Sequence, residues 1–230
     1  MTTRSSFKPV VVLPTYNERP NIEAIVQAIL DVVPVDIWIV DDNSPDGTGK
    51  FAQRIADTNK RVHVLHRQAK DGLGKAYIAG FKKVLEAGYS HVLQMDADFS
   101  HPLHKLPVLL ELSNQYDVVL GSRWIKGGKT ENWPLRRKLL SWWGSFYARS
   151  WLRIPIQDLT GGFKCFRREV LEAIDLNAIE TTGYAFQIEM TYRAHKKGFS
   201  ITETPIVFSE RNQGTSKMSK KIAMEAIVAV

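Results

Sequence analysis

The sequence predicts an α/β protein, with a mostly parallel central sheet flanked by helices. Three observations carry that prediction. Short apolar runs alternate with helical apolar stripes through the first half of the chain. Three of those runs end on polar and acidic residues, at Tyr16/Glu18, Asp41/Asp42 and Asp96/Asp98. The length, 230 residues, suits a single domain with a sizeable core. Strands separated by helices of about 10–15 residues need right-handed crossovers, which make their pairing parallel.

Val10-Val11-Val12-Leu13 is the first strand, ended by Pro14. Asn21 is placed to cap a helix with one apolar stripe at Ile22, Ile25, Val26, Ile29, Leu30 and Val33. Ile37 to Val40 is the second strand, and it runs into Asp41-Asp42. Asn43-Ser44-Pro45-Asp46-Gly47-Thr48 is turn chemistry leading to a second helix. Val62 to Leu65 is the third strand, and Lys75 to Ala87 the next helix. The fourth strand is His91-Val92-Leu93-Gln94-Met95-Asp96-Ala97-Asp98. Side chains alternate along a strand, so Asp96 and Asp98 are expected to face the same way where it opens into a loop.

Further along, Val118 to Leu120 is a strand, Leu135 to Leu152 a long helix and Gly161 to Phe166 a strand. Arg167 to Ile174 is a short helix, Tyr184 to Lys197 a longer one, and Ile201 to Phe208 a strand. Arg211 to Lys217 is a polar loop, and Ile222 to Val230 begins an apolar helix. No repeat or linker divides the chain, so residues 1–230 read as one domain.

Composition narrows the function classes. A hydrophobic fraction of 44% and a charged fraction of 24% are ordinary for a globular protein. The one cysteine, Cys165, rules out an intrachain disulfide and fits a reducing compartment. The polar stretch Met1 to Phe7 offers no signal-peptide core, and no run of about 18 apolar residues exists to span a bilayer.

Charge is uneven. Residues 1–120 hold 13 Lys/Arg against 14 Asp/Glu, whereas residues 121–230 hold 18 against 10. From Arg123 to Arg153 there are eight basic residues, one acid and five of the six tryptophans. Cations with stacking aromatics can track nucleic acid. Here the tryptophans mix with Leu and Phe along one helix, a pattern closer to a membrane-interface helix. Segments 123–154 and 216–230 are therefore expected to be membrane-interface helices on the cytoplasmic face, with no nucleic-acid partner.

The acidic strand ends carry the chemistry. A lone Asp-x-Asp reads equally well as a solvated turn capping a helix. A parallel sheet gathers its strand ends on one rim, however, and three acidic ends on one rim favour a shared site. Paired carboxylates are best tolerated beside a hard cation such as Mg2+ or Mn2+. Dinucleotide binding needs Gly-x-Gly-x-x-Gly after the first strand; that place holds Pro14-Thr15-Tyr16-Asn17-Glu18 instead. No Walker A loop is present either. The chain offers carboxylates for a metal and cations for phosphate, which suits a metal bridging a diphosphate leaving group.

Taken in order, several motifs resemble the dolichyl-phosphate (polyprenyl-phosphate) mannose synthases. They are Pro14-Thr15-Tyr16-Asn17-Glu18, Val40 to Thr48, Gly72 to Tyr77, Met95 to Pro102, Gly121-Ser122-Arg123, Arg136-Arg137-Lys138, Ser141, Asp158 to Phe163, Tyr184 to Met190 and Arg211 to Lys217. The match runs from about Val10 to Lys217. The resemblance implies the GT-A fold and an inverting transfer of mannose from GDP-mannose to a polyprenyl (dolichyl) phosphate. It implies a short form without C-terminal transmembrane helices.

By the same resemblance Pro14, Tyr16 and Glu18 hold the nucleoside, with Val40 and Asp42 at base and ribose. Asp41 either joins them or only positions the loop. Asp96, Ala97 and Asp98 sit around metal and donor, and Asp96, Asp98 and Ser100 are the metal candidates. Where some members carry a glutamine as a further ligand, this chain has Ser100, a weaker ligand that leaves room for water. Arg211 and Lys217 resemble the pair that closes on the diphosphate. Arg123, Arg137 and Ser141 resemble the acceptor-phosphate site, and Asp96, Asp98 and Arg123 the catalytic set. Arg137 and Ser141 are i and i+4, so they share a helix face. Gln187 and Glu189 either contact the sugar or stabilise their helix. The alternative donor is UDP-glucose with the same lipid acceptor.

Overall fold

The computed structural model describes residues 7–181 and 183–209. Its centre is a seven-stranded sheet in the order β3-β2-β1-β4-β7-β5-β8. One half comprises β1 (Pro9–Thr15), β2 (Asp36–Asp41), β3 (Val62–His66) and β4 (His91–Gln94), all parallel. The other half comprises β5 (Val118–Ser122), β7 (Lys164–Arg167) and β8 (Ile201–Pro205). Helices α1 (Ile22–Val32), α2 (Thr48–Thr58), α3 (Leu73–Glu86), α4 (Leu106–Leu112), α5 (Leu135–Leu152), α6 (Arg168–Ala173) and α7 (Gly183–Lys196) complete the chain, with a small ribbon of β6 (Lys129–Thr130) and β9 (Val207–Phe208).

β1 shows why the sheet is central. Val10 and Val12 pack on one face with Tyr77 and Phe81 of α3, and with Phe186 and Met190 of α7. Val11 and Leu13 pack on the other with Ile22, Ile25 and Ile29 of α1 and Leu106 and Leu109 of α4. All thirteen of these strand and helix residues are 0% exposed, so both faces of the strand are sealed. Close approach matters at Gly80 of α3, where a Cβ would lie 2.5 Å from Val12 Cγ1 and 2.9 Å from Val40 Cγ2.

Several expectations change. Pro14 does not end β1, because the ladder to β4 stops at Val12–Gln94 and one side of the strand is already unpaired there. β4 stops at Gln94, so Asp96 and Asp98 lie in the following turn rather than on alternating strand positions. Asn21 stands at the helix start, yet its amide donates to Glu18 Oε2 (3.0 Å) instead of capping. Gly161 to Phe163 is not strand; pairing begins at Lys164 and is antiparallel to both β4 and β5. The run Ile201 to Phe208 splits at Ile206, whose N–H bonds Ser122 O while its O accepts from Lys129 N. Of the segment 123–154, only Leu135–Leu152 is helical; Gly127 and Asn132 at positive φ, and then Pro134, turn the chain before it. The helix Leu106–Leu112 was not read from the sequence. Residues 216–230 lie outside the described residues.

Candidate functional site

The rim where β1, β2 and β4 end carries the predicted nucleoside loops. Pro14 and Val40 are buried in adjoining strands. Glu18, 8% exposed, accepts from Asn21, and its N–H meets Thr48 Oγ1 at 3.0 Å. Tyr16 is half-buried, with Lys70 Nζ 3.9 Å from its ring centroid.

The carboxylates at the end of β2 divide their work. Asp41 accepts from Thr15 Oγ1 (3.0 Å), Ser44 N (3.0 Å) and Ser44 Oγ (2.6 Å), so it fastens two loops together. Gly49 makes this possible, since a Cβ there would lie 2.5 Å from Asp41 Oδ2. Asp42 pairs with Arg67 at 2.5 Å. Burial lifts the Asp42 carboxyl above its usual range even so, outweighing the guanidinium beside it.

The acidic turn follows β4. Asp96 accepts from the Tyr77 hydroxyl at 3.1 Å, and burial with that carboxylate pushes the Tyr77 hydroxyl well above the ordinary tyrosine range. Ala97 and Asp98 are buried, and Asp98 Oδ1 accepts from Ser100 N at 3.1 Å. Phe99 between them holds φ +60°, a left-handed conformation that costs a bulky side chain energy and recurs at functional turns. Ser100 Oγ is buried and meets no hydrogen-bond partner among the described residues. His101, 2% exposed, accepts the Asp96 N–H on Nδ1 at 3.1 Å. Burial pushes the His101 imidazole down to about 4, so it is neutral at physiological pH.

This turn tests the fit of a divalent cation. Among the described residues no group of three or more His, Cys, Asp and Glu side chains gathers to cage one. Mg2+-type sites commonly use only one or two carboxylates and take their remaining ligands from substrate phosphates and water. Asp96, Asp98 and the unpartnered Ser100 Oγ fit that open kind of site.

On the other side of the turn, Arg123, Arg137 and Ser141 come together. Arg123 is 3% exposed and forks onto Asp158, with Nε and Nη2 each 2.7 Å from a carboxylate oxygen. Its Nη2 also donates to Thr160 Oγ1 (2.9 Å), which lies 3.4 Å from Ser141 Oγ and 3.2 Å from Ser145 Oγ. Burial alone would raise Asp158; the Arg123 guanidinium holds it below the usual range. The Trp133 ring centroid is 5.4 Å from the Arg123 guanidinium and 4.0 Å from that of Arg137. Burial raises the Tyr184 hydroxyl, Arg123 and Arg137 lower it and Asp96 raises it, so it lies within electrostatic reach of both groups.

Gln187 and Glu189 are engaged within the protein. Gln187 accepts from Gln94 Nε2 at 2.8 Å, while Glu189 accepts from Thr181 Oγ1 (2.5 Å) and Arg193 Nε (2.8 Å). Arg211 and Lys217 lie outside the described residues. Tyr77, His101, Asp158 and Tyr184 were not singled out as site residues from the sequence. Tyr77 and Asp158 carry no local spacing signal, because their partners are 19 and 35 residues away.

The model of one family, glycosyl transferase family 2, matches residues 10–175. The chain belongs to glycosyl transferase family 2. Its relatives in the family include an undecaprenyl-phosphate mannosyltransferase of Micrococcus luteus, 49% identical over 222 residues, covering 96% of this chain and 91% of that one. A polyprenol monophosphomannose synthase of Mycolicibacterium smegmatis is 47% identical over 232 residues, covering 100% of this chain and 88% of that one. A dolichol-phosphate mannosyltransferase of Pyrococcus furiosus is 38% identical, but this chain spans only 61% of it. Among solved structures, glucosyl-3-phosphoglycerate synthase from Mycobacterium tuberculosis, in complex with Mn2+, UDP and phosphoglyceric acid, superposes with a TM-score of 0.72 at 16% identity, covering 98% of this chain and 78% of that one. That likeness establishes the fold, which is GT-A, with the mostly parallel sheet expected of a family 2 glycosyltransferase.

Proposed function

We propose that this glycosyltransferase moves mannose from GDP-mannose to a polyprenyl or dolichyl phosphate, with inversion and with Mg2+ or Mn2+. The observation that carries the reading is the position of the Arg123–Arg137–Ser141 cluster. Arg123 and Ser141 share Thr160, Arg123 and Arg137 share the Trp133 ring, and the cluster sits at the start of a helix whose outer face is largely apolar. The names of the M. luteus and M. smegmatis relatives support the acceptor and the sugar.

Pro14, Tyr16, Glu18, Val40 and Asp42 line the nucleoside end, and Asp96 with Asp98 faces the diphosphate. Arg211 and Lys217 bind the diphosphate oxygens from the segment beyond β9. Arg123, Arg137 and Ser141 orient the acceptor phosphate, with Arg123 itself held rigid by Asp158. One phosphate oxygen forms the bond to the mannose C1 as the C1–O bond to GDP breaks, inverting α to β. The acceptor is already anionic, so no side chain need remove a proton. A divalent cation held by Asp96, Asp98 and Ser100 would neutralise the charge gathering on the departing diphosphate. The residues supply chiefly positioning and electrostatic stabilisation.

The apolar acceptor also accounts for α5, whose sidedness is reversed for an aqueous helix. Ser141, Ser145 and Ala148 face inward, while Leu135, Leu139, Trp142, Trp143 and Trp151 are 70, 50, 43, 57 and 68% exposed. Such a patch suits a lipid surface, with exposed Arg136 and Lys138 at anionic headgroups of the cytoplasmic leaflet. The association proposed is peripheral, resting on the exposed face of α5; among the described residues no helix is long and apolar enough to cross a membrane.

Two measurements test this. Polyprenyl phosphate and divalent metal, offered with either GDP-mannose or UDP-glucose, should give a glycolipid only from GDP-mannose. Equal or better transfer from UDP-glucose overturns the donor assignment. In flotation with anionic liposomes, Trp142→Ser/Trp143→Ser should shift the protein from the floating to the soluble fraction, and unchanged flotation refutes α5 as the contact.

A further inference from the structure

We propose that His101 is a positioning residue that joins the acidic turn to β9. Three parts of the chain meet on its ring. Nδ1 accepts the backbone N–H of Asp96 at 3.1 Å, closing the turn that carries Asp96 and Asp98. One face stacks on Phe163, with centroids 5.0 Å apart and planes at 18°. Phe208 of β9 meets the ring edge-on, with centroids 5.2 Å apart. Beside this contact, Ser209 N donates to Ser100 O at 3.3 Å, so backbone as well as side chain ties β9 to the turn. Phe208 also packs edge-on against Trp133 at 5.2 Å, the ring beside Arg123 and Arg137.

The chemistry at each contact is specific. Only a group with a lone pair at the Nδ1 position can take the Asp96 N–H. Only a flat ring can fill the slot between Phe163 and Phe208. The side chain is 2% exposed, so water is not available to replace the lost acceptor. With Nδ1 engaged by the Asp96 N–H and its ring packed against Phe163 and Phe208, His101 works through its neighbours. It acts by fixing the backbone from which Asp96 and Asp98 project, and by holding β9 against that backbone. This inference rests on the reading of Asp96 and Asp98 as the metal and diphosphate residues.

Three variants separate the two contacts. His101→Asn keeps an acceptor near Nδ1, His101→Gln moves it toward Nε2, and His101→Phe keeps the flat ring without an acceptor. Amide exchange at Asp96 followed by NMR reports the hydrogen bond directly, whatever the enzyme's substrates. Protection at Asp96 should persist in His101→Asn and fall at least about tenfold in His101→Phe and His101→Gln, in keeping with loss of a buried bond. A displacement near 1 Å costs about a hundredfold in rate. Transfer by the Phe and Gln variants should therefore fall about 10- to 100-fold in kcat, with a raised metal midpoint, and His101→Asn, which keeps the acceptor but loses the ring, should fall between these and wild type. Undiminished Asp96 protection in His101→Phe overturns the proposal. So does lost protection with unchanged kcat and metal midpoint. If the wild-type protein transfers no mannose, the functional reading fails, and the exchange data alone still decide whether His101 holds the turn.

Discussion

Asp98→Asn should abolish most mannosyl transfer while leaving the fold intact. Removing one charge from a pre-organised electrostatic site lowers the rate by about 10²–10³-fold. Asp98 is 5% exposed and sits in a turn already ordered by the Ser100 N–H and the His101 ring. The asparagine can still accept the Ser100 N–H through its carbonyl oxygen, so the melting temperature should stay within a few degrees. What it loses is anionic charge toward a cation. The decisive measurement is a metal titration of transfer with GDP-mannose. The variant should show a depressed plateau and a midpoint moved to higher metal concentration. Wild-type turnover at the wild-type midpoint would remove Asp98 from the metal site.

The second large effect concerns folding. Asp158→Ala should destabilise the protein by about 3–5 kcal/mol, the range for stripping the partner from a buried ion pair. The pair is buried from both sides, with side chains 3% and 0% exposed. The same carboxylate also accepts the Arg123 backbone N–H at 2.9 Å, so three donors lose their acceptor together. In a domain of this size, that corresponds to a drop of roughly 6–20 °C in melting temperature. Because Arg123 holds Asp158 below its usual range, the stabilisation is full above the unfolded carboxylate value and is lost as pH falls through the depressed native one. Wild type should therefore lose stability on acidification more steeply than Asp158→Ala. Parallel acid profiles would show that the pair contributes no pH-dependent stability.

How much of this was legible in the sequence depended on the range of the interaction. Local patterns succeeded: Ile22, Ile25, Val26 and Ile29 spelled out α1, and all four are buried in one cluster. The acidic strand ends were legible because a parallel sheet must gather them on one rim, and Thr15 O does bond Asp42 N across β1 and β2. Long-range pairing was hidden. Nothing near Lys164 announces that it lies opposite both Gln94 and Leu120, running the other way. The burial of Arg123 was hidden for the same reason, since its acceptor Asp158 is 35 residues off. α4 was missed because Leu106 to Leu112 is a short apolar run opened by a proline at its second residue, and such runs give little periodicity.

The reversal of β7 has an architectural outcome. Had this strand run parallel, its leading loop would open on the far edge of the sheet. Reversed, it delivers the Asp158–Phe163 loop to the edge where β4 and β5 finish, as the Lys164 pairings with Gln94 and Leu120 require. β7 is thus a seam one strand wide, about 4.8 Å to either neighbour. On one side lie β4 and the acidic turn that follows it, and on the other β5, which runs into Arg123.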